Sequence, residues 1–111
     1  CFRNKEMSVI YYLLKKNEKS HWHRLTKNET LHFYKGDPLT IYVSEDENNF
    51  NSITLGGGNK FHYIVNAKNW FAMKSSGEYS LIGCAVAPAF EYEDFELAPP
   101  NWKPEKFNLE I

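Results

Sequence analysis

The chain has 111 residues and a formal net charge of −1, from 13 basic and 14 acidic side chains. That length suits one domain able to bury an apolar core without staples, and hydrophobic and aromatic contents of 42% and 16% exclude a disordered tail. Balanced charge gives no general field for nucleic acid or an anionic membrane, and no apolar stretch approaches the roughly 20 residues of a membrane span.

Short β-rich runs are punctuated by turn residues about every eight to twelve positions, the pattern of a sandwich or barrel. Residues 8–14 (SVIYYLL) form the first predicted strand, closed by the charged run 15–19. Residues 21–25 and 30–34 follow as two strands around the polar turn Thr26-Lys27-Asn28, and Lys35-Gly36-Asp37-Pro38 ends the second. Residues 39–43 (LTIYV) are β-branched and aromatic, whereas 44–52 is acidic and asparagine-rich and reads as a mobile surface loop. Strands over 53–55, 61–65, 70–73 and 79–87 complete the series. Gly56-Gly57-Gly58 precedes a strand rather than a helix, so it reads as a hairpin turn and not a phosphate loop. The tail from Pro88 alternates aromatics with acids and ends among prolines, so it should lie extended over the barrel. No segment carries a helical period.

Cys84 lies in the apolar run Leu81-Ile82-Gly83-Cys84-Ala85-Val86 and reads as a buried free thiol rather than half of a disulfide with Cys1. That fits a reducing, cytoplasmic setting, and no signal-peptide pattern is visible. The opening at Cys1 without a methionine points to a truncated chain rather than a lipoprotein start.

The chemistry concentrates at His21 and His23. Residues two apart on a strand share a face, so SHWHRL aims both imidazoles one way and Trp22 and Arg24 the other. A hairpin between 21–25 and 29–34 would bring Glu29 beside them. Two imidazoles and a carboxylate form a partial ligand set for a divalent transition metal; equally, they form a hydrogen-bonded polar cluster lining a wet pocket. Arg24 suits either a ligand carboxylate or phosphate, or a structural ion pair with Glu29 or Asp37. His32 and Tyr34 belong to the opposite face of their strand from Glu29. Tyr34 is one of several tyrosines able to offer a phenol to a pocket.

His21-x-His23, then Glu29, then Gly36 resembles the first cupin motif. The longer stretches Ser20-His21-Trp22-His23-Arg24, Glu29-Thr30-Leu31-His32-Phe33-Tyr34-Lys35-Gly36-Asp37-Pro38-Leu39, Trp70-Phe71-Ala72, Gly83-Cys84-Ala85-Val86-Ala87-Pro88 and Phe90-Glu91-Tyr92-Glu93-Asp94-Phe95-Glu96-Leu97 resemble one small cupin class, the fifth, formerly described as a domain of unknown function. The resemblance implies an all-β fold: a single cupin domain over residues 1–111, an RmlC-like double-stranded β-helix or jelly-roll barrel. It also implies a homodimer and about twenty further upstream residues, including a short helix, to whose end Cys1-Phe2-Arg3 is similar. The chain departs from the family at four places. Asn66 stands at a proline position, Lys68 and Ala89 at glycine positions, and Phe71 where cupins place a third metal-binding histidine. His62 lies near enough in sequence to compensate for the last.

The function these features imply is a small-molecule pocket at the barrel mouth for a sugar- or nucleotide-like ligand. Its candidate binding residues are His21, His23, Glu29, His62, Tyr34 and Phe71. An isomerase- or epimerase-like enzyme is the alternative, with His23 and Glu29 as catalytic groups. A metal-dependent enzyme holding a divalent transition metal on His21, His23 and Glu29 is a third reading, and a structural or storage role a fourth.

Overall fold

The computed structural model describes residues 1–111 and contains ten strands and no α-helix. The strands are β1 (Phe2–Arg3), β2 (Ser8–Lys15), β3 (Ser20–Leu25), β4 (Glu29–Gly36), β5 (Leu39–Ser44), β6 (Asn51–Leu55), β7 (His62–Val65), β8 (Trp70–Ser75), β9 (Tyr79–Val86) and β10 (Phe95–Leu97). They form two antiparallel sheets of five strands, ordered β1-β2-β9-β4-β7 and β10-β3-β8-β5-β6. No helix is long and apolar enough to cross a membrane.

Alternation sends one face of each strand inward. Leu31 on β4, Ile41 on β5, Leu55 on β6 and Ile82 on β9 are fully buried, and with Phe71 and Met73 they fill one part of the space between the sheets. The opposite face of the second sheet makes a separate core. There Trp22, Tyr42, Trp70 and Ala72 pack against Ala98 and Phe107 of the C-terminal tail. Phe107 meets the rings of Trp22, Tyr42 and Phe50 at 5.2, 5.1 and 4.9 Å, each edge to face. The expected extended tail is therefore a structural layer. It also fixes the 45–50 loop, because Glu105 N–H and Lys106 N–H donate to the carbonyls of Glu47 and Asn48. The outer face of the first sheet has no such cover, and Tyr11, Leu13, Tyr34 and Ile64 are exposed there.

Two expected hairpins are crossovers instead. β3 and β4 belong to different sheets, as do β6 and β7. The glycine turn carries the chain from one sheet to the other, with all three glycines at positive φ. At Gly56 a Cβ would lie 2.6 Å from the Phe33 ring, so the close approach also requires glycine. Lys68 has φ +70° in the 66–69 turn, and its N–H donates to the Leu25 carbonyl at 2.6 Å. A lysine thus occupies a left-handed position where the family resemblance expects glycine.

Candidate functional site

Between β2 and β9 on one side and β3 and β10 on the other, the core gives way to a cavity of about 900 Å³. Ile10, Tyr12, Leu25, Met73 and Val86 form its walls, with His23 from the second sheet and Glu29 from the first. The two groups reach one cavity by facing each other across the barrel, not through a shared hairpin.

His23 is buried, its ring centroid 4.1 Å from that of Phe71 and 5.7 Å from that of Phe95. Its Nδ1 lies 2.7 Å from the His21 carbonyl. A carbonyl only accepts, so Nδ1 carries the proton and Nε2 keeps its lone pair. Burial holds the imidazole below its ordinary pKa, and nearby His21 adds to the effect, against the raising influence of the carbonyl bond. Glu29 opens β4 opposite Val86 of β9 and Val65 of β7. Burial raises its carboxyl to about 7, partly offset by a hydrogen bond from Cys84. The Cys84 thiol is raised in turn, by burial first and then by the Glu29 charge and hydrogen bond; it is an inert buried thiol. Near neutral pH the site thus presents a neutral imidazole and a carboxyl group poised between its two forms.

His21 and His23 both line the cavity, as their spacing predicts, although the strand between them is irregular. Ser20 pairs with Met73 but His23 with Phe71, so β3 carries one extra residue between Ser20 and His23. His21 reaches the cavity rim, but its Nε2 donates at 2.9 Å to the Pro99 carbonyl of the tail. The proposed metal set of His21, His23 and Glu29 does not assemble, and no group of three His, Cys, Asp or Glu residues is arranged to hold an ion. The donor chemistry agrees. Nε2 of His21 and Nδ1 of His23 are both engaged as donors to backbone carbonyls, so each ring keeps only its other nitrogen free, and burial disfavours the Glu29 carboxylate as a third ligand.

Three other sequence candidates lie outside the cavity. Phe71 is fully buried beneath His23 and supports its ring. Tyr34 and His62 are on the outer face of the first sheet, flanking His32, whose ring is stacked with Tyr34 at 6.4 Å and lies 6.3 Å from His62. Neither can compensate for a missing inner histidine. Arg24 points outward as parity predicts, pairing with Glu96 at 2.8 Å and lying 4.4 Å above the Trp70 ring. Its role is structural, though with a different partner from those expected.

The cavity also has a wall that motif reading missed. Residues 90–97 form a flap over one side, built on a single 3₁₀ turn (Tyr92–Asp94). Lys27 and Thr26 donate to the Asp94 carboxylate, which also accepts the Glu91 N–H at 2.8 Å. Those partners, Lys27 first, hold Asp94 down at about 2. At the other end Arg3 pairs with Glu91 at 2.8 Å and donates to the Phe90 carbonyl. The aromatic–acid alternation was the available signal: Phe90 and Phe95 line the cavity while Glu91 and Asp94 hold the latches.

The family profile of the cupin superfamily (DUF985) matches residues 3–98. No curated protein matches the chain. Among solved structures, a protein from Shewanella oneidensis is 35% identical, with a TM-score of 0.79, over 88% of this chain and 66% of its own. A hypothetical protein from Leishmania major is 28% identical, with a TM-score of 0.73, over 82% and 64% respectively. The chain thus spans just under two thirds of the length of both. A dTDP sugar isomerase from Desulfovibrio desulfuricans, 11% identical with a TM-score of 0.77 over 96% of this chain and 73% of its own, shares the fold.

Proposed function

The chain belongs to the cupin superfamily (DUF985), and from that premise we propose that it is a small-molecule-binding cupin whose ligand enters the barrel between the flap and β2. One observation carries this reading. A cavity of about 900 Å³ ends on a buried imidazole whose Nδ1–H is fixed by the His21 carbonyl, so that Nε2 is left as an acceptor. Pockets of this kind, mostly apolar with a few convergent polar groups, are the usual form of a ligand site. A thermal-shift screen of small metabolites tests it. A hit should raise the melting temperature of the wild type and not of His23→Ala or Glu29→Gln, and a screen in which every shift survives both substitutions would sink it.

A second reading is proton transfer, as in an isomerase or epimerase. It is favoured by the placement of an imidazole lone pair and a carboxylic acid on opposite walls of one cavity, where burial keeps the imidazole neutral and raises the carboxyl to about 7. In that reading Nε2 of His23 takes a proton from one face of the substrate and the Glu29 carboxyl supplies one to the other. Deuterium uptake from solvent at a substrate carbon, lost in both variants, would distinguish catalysis from binding.

A further inference from the structure

We infer that the ligand of this pocket is uncharged and largely apolar, and presents a single hydroxyl or equivalent donor to His23. This rests on the pocket reading above and narrows the expected sugar- or nucleotide-like ligand. Twelve of the twenty residues lining the cavity are hydrophobic, so most of a buried ligand's surface would meet carbon. The inner polar groups are His23, Glu29 and the hydroxyls of Ser8, Ser20 and Tyr12, and none of them is a cation. Ser8 is already an acceptor for the Phe90 N–H at 3.0 Å. A phosphate drawn to this depth would lose its hydration with no positive charge to replace it.

The cations available to the cavity are at its exposed rim. Arg3 is committed to Glu91 and the Phe90 carbonyl. Lys19 stands in solvent, where water and salt screen its attraction. A polyhydroxylated sugar fares little better, since each buried hydroxyl needs a partner and the walls supply few. An aromatic or alicyclic ring bearing one hydroxyl satisfies both halves of the cavity: carbon against Ile10, Met73 and Val86, and O–H donated to His23 Nε2.

The test is calorimetric titration of the full chain at pH 7 with three probes: 2-naphthol, 2-naphthyl phosphate and methyl glucoside. 2-Naphthol should bind at one site at least tenfold more tightly than the phosphate, with no measurable heat from the glucoside. Leu97→Arg places a cation on a half-exposed wall position of the same cavity; it should shift the preference toward the phosphate while leaving the melting temperature near that of the wild type. Tighter binding of the phosphate or the glucoside by the wild type would overturn the ligand class and leave the pocket reading standing. A naphthol preference unmoved by Leu97→Arg would also overturn it, by placing the ring elsewhere. If none of the probes binds, the ligand class is overturned, while the pocket reading stands or falls on the thermal-shift screen with the His23 and Glu29 variants.

Discussion

Glu29→Gln should make the protein more stable at pH 8 while leaving it nearly unchanged at pH 4.5. Burial raises the Glu29 carboxyl from 4.5 to about 7 in the folded protein. Between those values the folded state holds a proton that the unfolded state has released, so stability falls as pH rises and the loss is complete above the folded pKa. At 1.36 kcal/mol per unit the full loss is about 3 kcal/mol, an upper figure because part of the site is open to water. Glutamine copies the protonated acid in shape and cannot ionise, so the variant escapes the loss. For a domain of this size that corresponds to a melting temperature about 10 °C above the wild type at pH 8. Urea denaturation of both proteins at pH 4.5, 6 and 8 gives the comparison. Taking the difference between them removes the opposing contribution of His23, which costs stability as pH falls below 6.5. Parallel curves across the three pH values would refute the burial argument for Glu29.

Other substitutions probe the remaining structure. Phe107→Ala removes a buried ring packed on three aromatics and should cost about 3–5 kcal/mol in urea denaturation; a cost under about 1 kcal/mol would show the tail to be dispensable. Lys68→Gly relieves the left-handed backbone at φ +70° and should gain about 0.5–1 kcal/mol after the added entropy of the unfolded chain. Asp94→Asn should accelerate hydrogen exchange at the Glu91 amide, which donates to that carboxylate, without changing exchange in β5. Arg24→Ala loses an exposed ion pair and a cation–π contact and should cost no more than about 1.5 kcal/mol. Since Arg24 faces away from the cavity, ligand binding should not change.

The strands were legible because period-two alternation and β-branched residues survive any arrangement of the sheets. Alternation within β4 correctly put His32 and Tyr34 on the face opposite Glu29. The pairing of strands was not legible. A short polar turn at 26–28 looks the same whether it closes a hairpin or crosses between sheets, and here it crosses. Alternation put His21 and His23 on one cavity, but it could not show the extra residue between Ser20 and His23 or the bond from the His21 ring to the Pro99 carbonyl. The tail's own role was hidden because Phe107 and Trp102 make sense only beside Trp22, Trp70 and Tyr42, which come from distant strands. The Cys84–Glu29 contact was equally invisible, since it depends on register between β4 and β9.

The state of the His23 ring is the most direct test of the whole reading, and long-range nitrogen–proton NMR of the imidazole measures it. At pH 7 the ring should be neutral with its proton on Nδ1, and its titration midpoint should fall below 6.5. Addition of 2-naphthol should then move the Nε2 resonance. A proton on Nε2, or a ring already charged at pH 6.5, would contradict the geometry on which both the binding and the proton-transfer readings stand.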